Sequence, residues 1–146
     1  MIKSLKALLQ TPPSDDEETQ RRSIRLAAAV LLVETARADF TEDITEMNKL
    51  TDLLKSSLQL RDDEVHDLVT AAKERVEEST SLFDFTRIIN DHYNAEQKLE
   101  LIRAMWAVAY ADGNLSKYEE HLIRQVADLT YVTHSDYIHC KVATRP

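Results

Sequence analysis

The sequence predicts an all-α fold, a helical bundle of about seven helices. The chain has one Gly and three Pro in 146 residues, and these are the two residue types that most disfavour helix interiors. Apolar residues recur at steps of three and four along almost every segment, which is the spacing of one helix face. Several Ser or Asn residues are followed three positions later by Glu or Gln, a pattern that caps helix starts.

The first predicted helix covers residues 1–10 and is short and amphipathic. We expect it to pack on the body of the protein or to dock on a partner, since apolar helix stripes mostly face a core. Pro12 and Pro13 separate it from the next helix. The apolar face of this first helix would carry Ile2, Leu5, Leu8 and Leu9.

A long central helix is predicted from Ser14 to about Asp39. Ser14 and Glu17 have the spacing of a capping box, and the acidic residues around them favour the positive end of the helix dipole. The apolar stripe includes small residues that allow close helix approach. It consists of Ile24, Ala27, Ala28, Leu31, Leu32, Thr35 and Ala38.

The later helices follow from the same signals. The helix capped by Asn94 should end at Asp112 and Gly113, because Gly tolerates the left-handed conformation that closes helices. The last helix bears Ile138 and Val142 as its apolar face. The predicted starts of the six later helices are Asp43, Asp62, Leu82, Asn94, Ser116 and Thr133.

The chain carries a weak internal repeat within one predicted domain of residues 1–146. A shift of 73 residues aligns an Ala-x-Ala-Asp sequence that ends at Asp39 with another that ends at Asp112. The same shift superimposes probable helix starts and apolar pairs. We therefore predict two related three-helix halves, residues 22–75 and 95–145, joined by the helix that begins at Leu82.

Composition excludes several classes of function. The net charge of −8 disfavours nucleic acid and anionic lipid as direct partners. A single Gly excludes the glycine-rich loops that bind nucleotide phosphates. The single Cys140 cannot form an internal disulfide, and the longest apolar run, residues 26–33, is too short to span a bilayer. We expect a cytoplasmic protein with no transmembrane segment.

Each half contains an Asp at a helix end and a Glu seven residues later. Asp39 is followed by Glu46, and Asp112 by Glu119. The Glu residues fit capping boxes, whereas an Asp near the negative end of a helix dipole is unfavourable unless something offsets it. An Asx-turn, solvation or a hard divalent cation could do so, and oxygen ligands suit calcium, magnesium or manganese.

A second constellation is Asp-x-x-His, which occurs once in each half and ends at His66 and His139. The spacing resembles the Glu-x-x-His motifs of di-iron bundles, in which two further Glu residues project into the core. Here the Asp lies in the first helical turn, where a surface carboxylate stabilised by the helix dipole is expected. An enzymatic function is therefore the third hypothesis, after a metal-binding module and a metal-free interaction domain, and no catalytic residue is assigned. We interpret Cys140 as a partly buried, small apolar residue and Trp106 as part of the core wall.

The stretch LLVETARADFTEDITEMNKL, together with AMWAVAYADGNLSKYEEHLIRQVADL, resembles the TerB-like family of bacterial tellurite-resistance proteins. The resemblance covers residues 25–142, and the same domain is known from the amino-terminal part of DjlA-type co-chaperones. The sequence departs from the family pattern at Asp39-Phe40, where Asp-Gly is usual, and at Glu42, where an apolar residue is common.

The resemblance implies an antiparallel helical bundle without established catalytic activity. It also implies divalent metal binding in stress-response complexes with protein partners, through which the chain would associate indirectly with a membrane. The alternative is a metal-free, co-chaperone-like protein-interaction domain whose acidic loops serve only as caps. The metal positions that the resemblance implies are Glu34, Asp39, Glu46, Asp112 and Glu119.

Overall fold

The structure, a computed structural model, describes residues 13–38, 44–78, 81–111 and 113–145. Within these ranges it contains seven α-helices and no strand, which confirms the predicted all-α fold. The predicted helix at residues 1–10 lies outside the described residues. The helices are α1 (Pro13–Ala36), α2 (Ile44–Leu58), α3 (Asp62–Glu78), α4 (Phe83–His92), α5 (Ala95–Ala109), α6 (Lys117–Leu129) and α7 (His134–Thr144).

Helix α1 is the centre of the bundle, as its small and apolar residues predict. It contacts α2, α3, α4, α5 and α6, and every residue from Ala27 to Val33 is buried. Its sequence is therefore apolar all round over these two turns, as expected of a helix without a solvent face. The helix ends at Ala36, before the predicted Asp39, and a tighter turn follows in which the Ala38 amide donates to the Thr35 carbonyl.

Helices α1 and α5 run in the same direction through the bundle. The side chain of Gln20 lies 3.3 Å from His92, just before α5 begins, and further along Ala28 faces the same cleft as Leu101. Helix α5 contacts α6 and α7 much as α1 contacts α2 and α3. Two related halves would produce this pattern, although the division of the chain into halves stays a prediction.

Local capping signals correctly located the starts of three later helices. Asn94 and Gln97 form a complete capping box at α5, with bonds of 2.8 and 2.9 Å. Ser116 and Glu119 form another at α6, and the Thr133 hydroxyl accepts from the backbone of α7. These bonds satisfy amides that have no partner within the helix, so a short stretch of sequence suffices to predict them.

Helices α2 and α6 end in the same left-handed closing motif. Gln59 follows α2 with a φ of 53°, and Tyr131 follows Thr130 at the end of α6 with a φ of 62°. In both places the next amide bonds five residues back, from Leu60 to Lys55 and from Val132 to Ala127, as in a Schellman motif. Neither left-handed residue is the Gly that this position favours.

Replacing Gln59 with Gly should stabilise the protein by about 0.5–1 kcal/mol, because Gly adopts this conformation without the Cβ clash. Gln59 is exposed, so the change removes no core packing. Urea unfolding would show a higher midpoint with an unchanged slope. Gln59→Ala is the matched control and should give no such gain, and a Gly variant equal to or less stable than wild type would contradict the prediction.

The predicted apolar face of α7 is wrong. Ile138 and Val142 are 40% and 59% exposed, whereas Tyr137 and Cys140 are buried. The buried side of the helix is set by Trp106 of α5, whose ring lies 5.3 Å from that of Tyr137 between centroids. Contact between distant segments therefore selects the face of this short helix. None of the described helices is long and apolar enough to cross a membrane.

Candidate functional site

The described helix ends that flank the two acidic loops lie at the same end of the bundle. Helices α1 and α5 are parallel, and each leads into one loop. A cavity of about 400 Å³ between α2 and the end of α5 is lined by Thr45, just after the first loop, and by Ala111, just before the second. The fold therefore brings together the ends of the two segments that the sequence singled out.

Glu119 is the best defined of the predicted site residues. It is the third residue of α6 and only 3% exposed. Its Oε1 accepts from the Ser116 amide at 3.0 Å, and the Ser116 hydroxyl accepts from the Glu119 amide at 3.0 Å. Its Oε2 is also buried, and within the described residues it has no hydrogen-bond partner. The capping box thus provides a hydrogen-bond partner for Oε1 of Glu119 but not for Oε2.

Glu46 occupies the equivalent position in the first half. It is the third residue of α2, as Glu119 is of α6, and it is likewise 3% exposed. A carboxylate in the first helical turn is ordinarily a surface group, because the helix dipole stabilises it without burial. Two such residues buried to the same degree are therefore unusual.

Glu34 lies in the last turn of α1 and is half-buried. Burial raises the pKa of this carboxyl above its usual value, and the nearby Arg37 opposes the shift. Arg37 also lies 3.8 Å from Glu77 of α3, measured from Nη1 to Oε1. The charged form of Glu34 is therefore disfavoured by its surroundings, and any further cation near it would reverse that effect.

Asp39 and Asp112 lie outside the described residues. Of the five metal positions predicted from the sequence, the structure thus describes Glu34, Glu46 and Glu119. In the ranges that it describes, no three His, Cys, Asp or Glu side chains form a group that could hold a metal ion. The described carboxylates do not make a coordination site by themselves, so a metal site would need the aspartates of the two loops.

An aromatic cluster adjoins the second loop. The ring of Trp106 stacks on Tyr110, with 5.9 Å between the ring centroids, and Lys141 Nζ lies over the Trp106 ring, 5.5 Å from its centroid. Lys141 also bonds Glu120 of α6 at 3.3 Å. Burial, more than the nearby Glu120, raises the pKa of Tyr137 to about 12. The sequence correctly predicted that Trp106 belongs to the core.

Tyr137 and Lys141 were not among the residues predicted from the sequence. Together with Cys140 and Thr144 they follow a helical spacing that a mixed set of side chains obscures. Cys140, predicted to be partly buried, is fully buried, and burial raises the pKa of its thiol. Cys140 therefore lacks the lowered pKa of a reactive thiol.

The two histidines of the Asp-x-x-His motifs do not meet in a buried cavity. Both His66 and His139 are exposed. His66 lines a cavity of about 370 Å³ between α2 and α3, and His139 is absent from its walls. The buried dinuclear centre that the third sequence hypothesis required is thus not formed by these side chains.

Comparison with known proteins gives one result. The family model described as "Tellurite resistance protein TerB" matches residues 25–142. No curated protein and no solved structure matches the chain. The matched range contains both acidic loops and the helix ends that flank them. The chain therefore belongs to the TerB family.

Proposed function

We propose that this chain is a non-enzymatic TerB-like module of the cytoplasm that binds a divalent cation through its two acidic loops. It would act with protein partners in a stress response of the tellurite type and approach a membrane only through those partners. The ligands would come from Glu34, Asp39, Glu46, Asp112 and Glu119. Hard oxygen ligands of this kind suit calcium, magnesium or manganese.

The buried second oxygen of Glu119 is the observation that carries this proposal. A capping box needs one carboxylate oxygen, and Oε1 already fills that role. Leaving a buried acceptor unsatisfied costs about 1–3 kcal/mol, and more for a charged group. A cation bound at Oε2 would offset this cost, which ordinary capping does not explain.

The placement of the loops supports the same proposal. Asp112 precedes Glu119 by seven residues, and Asp39 precedes Glu46 by the same number. Thr45, which follows the first loop, and Ala111, which precedes the second, line one cavity, and this supports ligands from both loops at one site. Several carboxylates at one end also repel one another in the absence of a cation.

Titration with calcium, magnesium and manganese should test the proposal through the fluorescence of the single Trp106. This residue stacks on Tyr110, two residues before Asp112, so a cation in the second loop should change its emission. We expect a saturable change at micromolar to millimolar concentration and a rise in melting temperature.

The double variant Asp39→Asn plus Asp112→Asn should lose both responses. A matched double variant, Asp67→Asn plus Asp91→Asn, changes exposed aspartates away from the loops and should keep them. The proposal fails if none of the three cations has an effect, or if both double variants respond as wild type does.

A metal-free protein-interaction domain is the second candidate. It is favoured by the exposed apolar pair Ile138 and Val142, one turn apart on α7, and by Phe83, which is 57% exposed. Exposed apolar side chains that are contiguous on a surface mark sites of protein interaction. Failure of all three cations in the titration would favour this candidate, with the acidic loops then serving as caps.

A further inference from the structure

The second acidic loop connects α5 to α6, and α7 contacts both of these helices. On the α5 side, the Trp106 ring centroid lies 5.3 Å from that of Tyr137 and 5.5 Å from Lys141 Nζ. On the α6 side, Lys141 Nζ bonds Glu120 Oε1 at 3.3 Å, and the Tyr137 hydroxyl donates to the Glu120 carbonyl at 3.5 Å. Each α7 residue therefore contacts one residue before the loop and one after it. We call Tyr137 and Lys141 the α7 bridge.

The residues that the α7 bridge contacts are closely connected to the loop itself. Trp106 stacks on Tyr110, whose carbonyl accepts from the Gly113 amide at 2.9 Å and so closes the first turn of the loop. Glu120 directly follows Glu119, the buried capping residue of α6. A shift of Trp106 relative to Glu120 would therefore change the separation of the two predicted metal ligands in this half.

Lys141 is held between two groups. Its side chain is only 18% exposed, although lysine is almost never buried unless it is paired. The ammonium lies over the Trp106 ring and beside the Glu120 carboxylate, so a cation–π contact and an ion pair act on it together. Ordering so long a side chain costs conformational entropy, which these two contacts offset. Lys141 thus has a defined position, as a residue that fixes a distance requires.

The first half has different residues at the corresponding positions. The 73-residue shift places Glu64 and Leu68 of α3 where the second half has Tyr137 and Lys141. Glu64 accepts from the Arg61 amide at the start of its own helix, and Leu68 carries no charge that could pair with a carboxylate. The α7 bridge is therefore a feature of the second loop alone.

We propose that the α7 bridge holds the two ends of the second acidic loop at a fixed separation and so sets the affinity of this loop for a cation. The inference rests on the proposed function. Tyr137 and Lys141 act through Trp106 and Glu120, so they are positioning residues. Groups that orient metal ligands affect affinity strongly, because ligands already in place need not be ordered when the ion binds.

Lys141→Met separates the effect of position from the effect of charge. The variant keeps an apolar side chain over Trp106 but loses the bond to Glu120. Removing a positive charge near a divalent cation should by itself strengthen binding, whereas loss of the bridge should weaken it. We expect calorimetric titration with calcium, magnesium and manganese to show binding about tenfold weaker than in wild type. Lys141→Arg can bond the same carboxylate and should restore the affinity.

Lys55→Met is the matched control. Lys55 also joins two helices through an ion pair, with Asp62 of α3, but it lies in the last turn of α2, far along that helix from the first loop. This variant loses the same charge as Lys141→Met and should bind the cation as tightly as wild type. Circular dichroism of each variant would verify that the helices form.

Hydrogen exchange in EDTA tests the α7 bridge without any cation. The amides of Gly113 and Glu119 have hydrogen-bond partners within or beside the loop, and they should exchange about fivefold faster in Lys141→Met than in Lys55→Met. Equal exchange in the two variants would overturn the proposal, as would cation binding by Lys141→Met that equals or exceeds that of wild type. A wild-type protein that binds no cation would instead exclude the proposed function, and the exchange rates would then decide whether the bridge holds the loop.

Discussion

Trp106→Ala should destabilise the protein by about 3–5 kcal/mol, the range for large aromatic to Ala changes in a core. Trp106 is completely buried and contacts the rings of Tyr110 and Tyr137. A chain of this size has a total stability of about 5–15 kcal/mol. The variant should therefore unfold at much lower urea concentration, as followed by circular dichroism because the fluorescent residue is lost.

Two further variants separate core packing from aromatic character. Phe83→Ala removes an aromatic ring that is 57% exposed and should cost less than about 1 kcal/mol. Trp106→Phe should cost less than its lost volume suggests, because the indole Nε1 is buried without a hydrogen-bond partner in the described part of the chain. A Trp106→Ala variant that loses less than 1 kcal/mol would show that this ring does not hold α5 to α7.

The helices were predictable because their signals are local. The capping residues of α5 and α6 lie three positions apart in the chain, so the sequence contains both partners of each bond. The burial of Ala27 to Val33 also follows from a stretch without charge. Such features need no knowledge of which segments meet in space.

The buried face of α7 was not predictable from local sequence signals. Ile138 and Val142 are its most apolar residues, yet Tyr137 and Cys140 face the core. The choice depends on Trp106, which lies about thirty residues earlier in the sequence and reaches Tyr137 only in the folded chain. In a helix of three turns, the period alone permits both faces, and tertiary contact decides between them.

The burial of the acidic residues was likewise not predictable from the sequence. The sequence identifies Glu119 as a capping residue, and an ordinary capping carboxylate is exposed. Its 3% exposure is a result of tertiary packing, since α6 contacts α1 and α5, which lie elsewhere in the sequence. Burial changes the interpretation, since a surface carboxylate needs no partner beyond water, whereas a buried one does.

The effect of Glu119→Gln on the free energy of unfolding should change sign when the cation is added. In EDTA the amide oxygen of Gln can still accept from the Ser116 amide, so the cap survives. The variant also removes a buried charge whose second oxygen has no partner in the described structure. We therefore expect its free energy of unfolding in EDTA to equal that of wild type or to exceed it, by up to about 2 kcal/mol.

At a cation concentration about 100 times its dissociation constant, wild type should gain about 2.7 kcal/mol, because the ion binds only the folded state. Glu119→Gln should gain far less, since an amide oxygen is a weaker ligand and carries no charge. Glu96→Gln is the control: Glu96 is exposed and 3.8 Å from Arg103, so this variant should gain as much as wild type. If Glu119→Gln instead lowers stability by the same amount with and without cation, the buried carboxylate is a structural cap and the loops hold no ion there.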